Sequence, residues 1–295
     1  MSKSIPLIAN FTSGRGRCAT QIHEVIRVFA AHGYGTDVHV TDRRGHATEL
    51  AIEYAPGGLI ACAGGDGTLN EVITGVMQLP QEQRPLLGYI PCGSTNDFAA
   101  TLGLPGDMGK AAQRIMQMNP VVLDVGRYQD RYFSYVASFG AFTEVSYSTP
   151  QDTKNALGHL AYLIEGVRNL QTLRPYPMRF EADGQLFEGD YLFGAISNST
   201  SIAGLVKLDG DLVKLNDGLL EVLLIRYPQS LDELGRIAIS LNMQNYDNPA
   251  ITLIQARRVR VENPEHTPFT LDGEYGSDDQ EIVIENVPGA IRLLS

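Results

Sequence analysis

A glycine-rich segment with one aspartate is the part of this sequence best suited to phosphate chemistry. It reads Gly64-Gly65-Asp66-Gly67-Thr68, follows the apolar run Leu59–Ala63 and precedes the amphipathic segment Leu69–Leu79, so we predict a helix from Thr68 to Leu79. Glycines let the backbone come close to an oligophosphate, and N–H groups at a helix start point at the anion. A carboxylate beside phosphates is repulsive unless a divalent cation or a transferable proton lies between them. Asp66 therefore indicates Mg²⁺ and a reactive γ-phosphate, although a tight strand-to-helix turn also uses such glycines.

A second loop of the same kind follows the next predicted strand, Leu86–Ile90. The segment Pro91–Phe98 leads from this strand into a helix and carries hydroxyl and carboxylate side chains. Ser94 and Thr95 can donate hydrogen bonds to phosphate oxygens, whereas Asn96 and Asp97 also fit a helix cap. Ligands of open α/β sheets bind at the carboxyl ends of the strands, so we expect both loops to face one nucleotide.

The composition is that of an ordinary globular protein. A chain of 295 residues with 43% hydrophobic content can bury one large core or two moderate ones. The formal charge of −11 argues against a nucleic-acid partner, because phosphate backbones are met by an excess of Lys and Arg. The three cysteines are widely spaced, and we expect reduced thiols in a cytoplasmic protein without a membrane span.

The periodicity predicts two domains. Short apolar runs alternate with helical segments from Ile5 to Leu102, which is typical of a parallel sheet with helices on both faces. After Val121–Tyr128 the pattern changes to period two, interrupted by two helical segments, Asn155–Leu173 and Ser230–Asn242. We predict an α/β domain over residues 1–128 and a β-rich, antiparallel, sandwich-like domain over residues 129–295, with the last strand free to return to the first domain. The cleft between the domains is the expected active site.

Four segments in this order resemble the diacylglycerol kinase catalytic family, which includes bacterial soluble lipid kinases and the sphingosine and ceramide kinases. They are Asn10–Gly14, Gly64–Glu71, Pro91–Ala99 and Leu271–Glu274. The sequence GGDGT alone is shared with NAD kinases, but the ordered set of four is specific. One departure is His46, which stands where an acidic residue is common in the family.

The resemblance implies an ATP site and a base for phosphoryl transfer. The implied ATP site is lined by Asn10, Phe11, Thr12, Ser13, Gly14, Thr41, Gly64, Gly65, Asp66, Gly67, Thr68, Leu69, Asn70, Ser94 and Thr95. Glu274 is the first choice for the catalytic base and Asp272 the second, because transfer to an alcohol needs a carboxylate within reach of the hydroxyl. The Asp272-Gly273 pair is also a common hairpin turn.

The resemblance also implies two magnesium sites. Asp66, Asp97 and Asp124 are expected to form a polar network around a catalytic Mg²⁺. Asp124 ends an apolar strand, where a carboxylate is either buried with partners or begins a turn. Lys214, Asp217 and Leu219 are expected to hold a structural Mg²⁺, although Asn-Asp-Gly is also a turn signal.

These inferences predict an ATP- and Mg²⁺-dependent lipid kinase that phosphorylates a lipid hydroxyl, with diacylglycerol and phosphatidic acid as the first choice of substrate and product. We expect a cytoplasmic enzyme that meets its lipid by transient peripheral association with a membrane, and we leave a homodimer open. The alternatives are an NAD kinase-like enzyme and a nucleotide-binding regulator without activity.

Overall fold

The computed structural model describes residues 3–141, 173–202 and 206–294. The chain divides into two compact units, one formed by Met1–Val125 with Pro288–Ser295 and the other by Gly126–Val287. It leaves the first unit within strand β5 (Pro120–Tyr128) and returns to it within strand β17 (Glu281–Leu294). The predicted helix Asn155–Leu173 lies outside the described residues except for Leu173.

The first unit is built on a parallel sheet in the order β2-β1-β3-β4-β17. The inner strands β1, β3 and β4 are mainly apolar, as buried parallel strands require, whereas the edge strand β2 also carries Asp37 and His39. The final strand joins the sheet through its last residues, with Arg292 opposite Leu86 and Leu294 opposite Gly88. The other strands of this sheet are β1 (Ser4–Ala9), β2 (Gly35–Val40), β3 (Leu59–Gly64) and β4 (Leu86–Pro91).

Five described helices accompany this sheet. The long helices form two pairs, since α1 packs against α5 and α2 packs against α3. Val25 and Phe29 of the first pair share a core cluster with Leu7, Ala111 and Ile115. The helices are α1 (Arg17–Ala31), α2 (His46–Tyr54), α3 (Asp66–Met77), α4 (Asp97–Thr101) and α5 (Met108–Met116).

Two helix predictions need correction. The helix of the glycine-rich segment was expected from Thr68 to Leu79, but it begins at Asp66, because Gly65 takes the extended cap position and an acid is favourable in the first helical turn. Helix α5 was not predicted, although Asp107 caps it and its apolar residues recur at helical spacing.

The second unit consists of antiparallel strands. They are β6 (Arg131–Phe133), β7 (Val136–Gly140), β8 (Tyr176–Ala182), β9 (Gln185–Ser197), β10 (Ser201–Ile202), β11 (Val206–Lys207), β12 (Leu220–Arg226), β13 (Ile251–Ala256), β14 (Arg258–Glu262), β15 (Phe269–Leu271) and β16 (Glu274–Tyr275), together with parts of β5 and β17. The main sheet has the order β16-β15-β7-β9-β8-β14-β17. Strand β12 pairs with β9 and β13 pairs with β12, while β6 pairs with β5.

Aromatic side chains fill the core of this unit. Phe139 stacks on Phe180 and packs against Phe269, with ring centroids 5.8 and 5.0 Å away respectively. One helix, α6 (Leu231–Asn242), is capped by Ser230, whose hydroxyl accepts the N–H of Glu233. An α/β unit followed by a β-rich unit confirms the predicted fold class. Within the described parts of the chain, no helix is both long and apolar enough to span a membrane.

Candidate active site

The loops expected to bind a nucleotide follow neighbouring parallel strands at their carboxyl ends. Ala9 at the end of β1 lies opposite both Val40 of β2 and Ala63 of β3. Ala63 in turn lies opposite Ile90 of β4. Because the strands are parallel and in this register, the segments that follow them leave from the same edge of the sheet.

Glycines let two of these loops touch through their backbones. A Cβ on Gly93 would lie 2.5 Å from the Cα of Gly65, and a Cβ on Gly64 would lie 2.4 Å from the Cβ of Thr68. Both distances are too short for a side chain, so the close approach requires glycine. Tyr89 also contacts the first of these loops, since its hydroxyl lies 3.5 Å from the Gly64 carbonyl oxygen. Burial raises the pKa of Tyr89, and the charge of Asp66 adds to the rise, so the phenol stays protonated as a donor.

Asp66 connects the two loops through its carboxylate. Its Oδ2 accepts the N–H of Asp97 at 3.1 Å, and its Oδ1 accepts the N–H of Phe98 at 3.3 Å. Asp97 itself is buried in the first turn of α4. The carboxylate is therefore held at a defined place beside the glycine-lined backbone of both loops.

The loop after β1 joins the same group. Asn10 Nδ2 donates to Thr68 Oγ1 at 3.2 Å, and Asn10 Oδ1 accepts from the N–H and the hydroxyl of Thr12 at 3.0 and 2.7 Å. Gly14 has φ +61°, and a Cβ there would lie 2.0 Å from the carbonyl oxygen of Cys92. The segments around Asn10, Thr68 and Cys92, predicted separately, are thus in contact.

The loop after β4 owes its shape to Asn96. Its side chain makes two hydrogen bonds to Gly93, accepting the N–H and donating to the carbonyl oxygen, both at 2.9 Å. The residue has φ +55°, a conformation that asparagine tolerates better than most residues. Ser94 and Thr95 lie in the loop that Asn96 closes, and both are exposed.

Glu71 is a part of this site that we did not predict. Its Oε1 accepts the N–H of Gly45 at 2.8 Å and its Oε2 accepts the N–H of Ala47 at 3.1 Å. Gly45 is the cap residue of α2 and has no side chain to satisfy these donors. Glu71 therefore caps α2 from α3 and fixes the segment that follows Thr41, a predicted nucleotide contact. The only sequence signal was an acid within the motif Gly64–Glu71.

The aspartates expected around a catalytic magnesium do not form a ready-made cage. Among the described residues, no three His, Cys, Asp or Glu side chains are placed to hold a metal ion together. Asp124 is buried and accepts the N–H of Gly289 at 2.7 Å, so it is a buried acid with a partner. Asp66 and Asp97 meet through a carboxylate-to-backbone bond. Oxygen donors of this kind fit a Mg²⁺ that takes its other ligands from phosphates and water, and the role of Asp66, Asp97 and Asp124 stays a prediction.

The segment expected to hold a structural magnesium is an Asx turn. Asp217 Oδ1 accepts the N–H of Leu219 at 3.0 Å, and the side chains of Asp217 and Lys214 are exposed. This confirms the turn. Binding of a cation by Lys214, Asp217 and Leu219 stays a prediction.

In the second unit, Asp272 and Glu274 lie in very different surroundings. Leu271 is paired with Glu274 across the two turn residues Asp272 and Gly273, which have φ of +47° and +88°. Asp272 is buried and accepts hydrogen bonds from Ser134, Tyr135 and Val136, whereas Glu274 is exposed. Burial raises the pKa of Asp272, and the hydrogen bond from Ser134 opposes the rise.

A parallel α/β sheet with phosphate-type glycine loops, one of which carries a fixed aspartate, defines a class of phosphoryl-transfer enzymes. Residues 4–128 match the diacylglycerol kinase catalytic domain, and residues 136–295 match the YegS C-terminal NAD kinase beta sandwich-like domain. The chain is 38% identical over 278 residues to a diacylglycerol kinase of Bacillus subtilis (strain 168), covering 93% of this chain and 90% of that one. It is 35% identical over 282 residues to a diacylglycerol kinase of Staphylococcus carnosus (strain TM300), with coverages of 94% and 90%.

The fold has a counterpart among solved structures. A crystal structure of a diacylglycerol kinase from Bacillus anthracis str. Sterne superposes with a TM-score of 0.76 at 22% identity, covering 99% of this chain and 97% of that chain. The two family matches and the identity of 38% to a diacylglycerol kinase show that the chain belongs to the diacylglycerol kinase family and is a kinase. The family implies ATP as the co-substrate.

Proposed function

We propose that this kinase transfers the γ-phosphoryl group of ATP to the hydroxyl of diacylglycerol and releases phosphatidic acid and ADP. The observation that carries the proposal is the position of Asp66, whose carboxylate is fixed by the N–H groups of Asp97 and Phe98 beside two glycine-lined loops. A fixed carboxylate in an anion cradle is suited to a reacting phosphate with its cation. A loop that only binds phosphate has no use for that negative charge.

The residues around the cradle would bind and orient the nucleotide. The backbone N–H groups at the start of α3 would face the phosphates, and the hydrogen bond from Asn10 to Thr68 would keep the loop after β1 beside them. A bound Mg²⁺, held by Asp66 together with the nucleotide phosphates, would neutralise the charge that develops on the transferred group. The proposed network of Asp97 and Asp124 would keep Asp66 in place.

Glu274 is the proposed general base. Its carboxylate would take the proton of the lipid hydroxyl while that oxygen forms its bond to the γ-phosphorus. The bond from the γ-phosphorus to the bridging oxygen breaks in the same step, so ADP leaves with the electron pair. Glu274 is exposed, as a group that must reach a substrate hydroxyl needs to be.

Labelled ATP and a panel of acceptors test the proposal. The purified protein is given γ-labelled ATP with diacylglycerol, phosphatidylglycerol, sphingosine or undecaprenol in neutral micelles, and with NAD in solution as the water-soluble acceptor. We expect labelled phosphatidic acid from diacylglycerol, its loss when a chelator removes Mg²⁺, and little product in the variant Asp66→Asn. Phosphorylation of NAD in preference to every lipid would instead support the NAD kinase-like alternative. This alternative is included because residues 136–295 match a domain described as NAD kinase beta sandwich-like.

An insoluble acceptor also requires contact with a membrane surface. We propose that the protein binds bilayers peripherally and reversibly. Flotation with neutral and anionic vesicles across a salt series measures this binding, and the net charge of −11 predicts that neutral vesicles are bound better unless a local basic surface acts. Failure to float with any vesicle, together with turnover of a water-soluble alcohol, would contradict the lipid substrate.

A further inference from the structure

We propose that Asp272 is a positioning residue that fixes the hairpin carrying Glu274 by anchoring it to the segment Ser134–Val136. This inference rests on the proposed function for the role of Glu274. It gives Asp272 of the Leu271–Glu274 motif a structural role in place of its role as the second choice for the catalytic base.

The hairpin is short. Within the described parts of the chain, strand β16 consists of Glu274 and Tyr275 and pairs with β15 alone. Short edge strands of this kind have few ladder hydrogen bonds to keep them in place. The far end of the strand is tied by Arg131, whose Nη1 donates to the carbonyl oxygens of Tyr275 and Gly276 at 3.1 and 2.7 Å. The near end is the Asp272-Gly273 turn.

Asp272 supplies the anchor at the near end. Its Oδ2 accepts the N–H and the hydroxyl of Ser134, both at 2.6 Å, and its Oδ1 accepts the N–H groups of Tyr135 and Val136 at 3.0 and 2.9 Å. The backbone N–H of Asp272 donates in return to the carbonyl oxygen of Val136 at 2.8 Å. Three successive backbone N–H groups form a small anion cradle, and here a carboxylate of the chain fills it.

This arrangement is poorly suited to a base. Four donors converge on the Asp272 carboxylate, and its side chain is buried. A base must offer an oxygen lone pair to the substrate hydroxyl at about 2.6–3.2 Å. Glu274, two residues further along, is exposed and has the same carboxylate chemistry. The geometry separates the two acids into an anchor and a group that can reach a substrate.

The chain contains a second turn of the same type that serves as a control. Asp183 and Gly184 have φ of +45° and +85°, close to the values at Asp272 and Gly273. The Asp183 carboxylate also accepts backbone N–H groups, those of Arg257 and Arg258 at 2.8 and 3.0 Å. Asp183 is exposed and lies outside the proposed site. An Asp→Asn change at 183 therefore reproduces the general effect of losing an acceptor in such a turn.

Kinetics of Asp272→Asn, Ser134→Ala, Glu274→Gln and Asp183→Asn test the inference. Asparagine keeps the turn conformation but points an amide donor at backbone donors, so we expect kcat to fall about 10–100-fold in Asp272→Asn with KM for ATP unchanged. The acidic limb of the kcat profile against pH should persist in Asp272→Asn and disappear in Glu274→Gln. The double variant Asp272→Asn/Glu274→Gln should be about as slow as Glu274→Gln alone, because both changes act through the carboxylate of Glu274. Asp183→Asn should keep the wild-type kcat.

Ser134→Ala keeps the carboxylate and removes one donor, so it stays informative if Asp272→Asn folds poorly. We expect a smaller fall in kcat and no movement of the acidic limb. A limb that disappears in Asp272→Asn but persists in Glu274→Gln would overturn the inference, and so would a wild-type kcat in both Asp272→Asn and Ser134→Ala.

Amide hydrogen exchange provides a readout that needs no substrate. We expect faster exchange at residues 274–276 in Asp272→Asn than in the wild-type protein, and no change there in Asp183→Asn. Unchanged protection in Asp272→Asn would overturn the anchor even in an active enzyme. If the wild-type protein phosphorylates no lipid while these exchange changes occur, the proposed function fails and the anchor stands.

Discussion

The Oδ2 atom of Asp66 accepts the backbone N–H of Asp97 at 3.1 Å, so the first residue of α3 and the first residue of α4 are joined directly. The two motifs that suggested phosphate chemistry are therefore parts of one structure. A carboxylate fixed by backbone N–H groups keeps its place without a ligand, which is the preorganisation that electrostatic catalysis needs. The consequence can be tested by removing the charge and keeping the shape.

Asp66→Asn should nearly abolish phosphoryl transfer and leave the fold intact. The amide retains one oxygen to accept an N–H, but its NH₂ group faces the other donor, so we expect a stability cost of about 1 kcal/mol. Steady-state turnover and thermal unfolding are measured on the same preparation. We expect turnover to be almost lost while the unfolding temperature stays close to that of the wild-type protein. Turnover near that of the wild-type enzyme would remove Asp66 from the mechanism.

Glu274→Gln should lower kcat by about 10²–10⁴ with little change in nucleotide affinity, because the amide cannot accept the proton of the hydroxyl. Glu274 is exposed, so the change should not affect stability measurably. Single-turnover kinetics and equilibrium binding of a nucleotide analogue measure the two quantities. The neighbouring exposed residue Asp278 offers a matched variant, Asp278→Asn, which should remain active. Equal losses in both variants would indicate a general effect of charge on this surface.

The periodicity of the sequence was enough to predict the fold class of the first unit, because short apolar runs that alternate with helical segments are typical of a parallel sheet. It did not reveal which loops touch. The contact of Gly65 with Gly93 depends on the strand register, and the partners of Asp66 lie 31 and 32 residues away. The start of α3 was placed two residues late, since the helical period only becomes visible after the glycines.

Acids that cap or anchor distant backbone were harder to predict. Glu71 binds N–H groups 26 and 24 residues earlier, and Asp272 binds a segment more than 130 residues earlier. A single sequence holds no trace of such pairings. The turn formed by Asp272 and Gly273 was predictable from its residue types, whereas the burial of its first residue was not.

Glu71→Ala should destabilise the protein by about 1–2 kcal/mol, because the N–H groups of Gly45 and Ala47 then lose their acceptor. We also expect KM for ATP to rise more than kcat falls, since the segment after Thr41 loses its tie to α3. Denaturant unfolding and initial rates measure the two effects.

Glu49→Ala is the control for Glu71→Ala. It removes the exposed ion pair between Glu49 of α2 and Arg43, which precedes that helix, and we expect the free energy of unfolding to fall by less than about 1 kcal/mol. A cost for Glu71→Ala no larger than for Glu49→Ala would show that the cap contributes little.

Glu221 should make the stability of the protein depend on pH. Its side chain is 1% exposed on β12, and burial raises its pKa to about 7, while a hydrogen bond from Gln255 at 3.2 Å opposes the rise. The unfolded chain loses this proton near pH 4.3. Between about pH 4.3 and 7 the folded state thus binds more protons than the unfolded state, so stability falls as pH rises through this window. Above pH 7 the carboxylate is charged in both states, and its burial lowers the free energy of unfolding by roughly 4 kcal/mol.

Glu221→Gln removes the titrating group and keeps its size. We expect the variant to be more stable than the wild-type protein at pH 8, and the difference between them to shrink towards pH 5. Urea midpoints from pH 5 to 8, in the presence of a chelator so that no cation binds near Asp217, measure this difference. Glu181→Gln, at an exposed glutamate of β8, should follow the wild-type protein at every pH. A constant difference between Glu221→Gln and the wild-type protein across the series would mean that the Glu221 carboxyl does not titrate between pH 5 and 8.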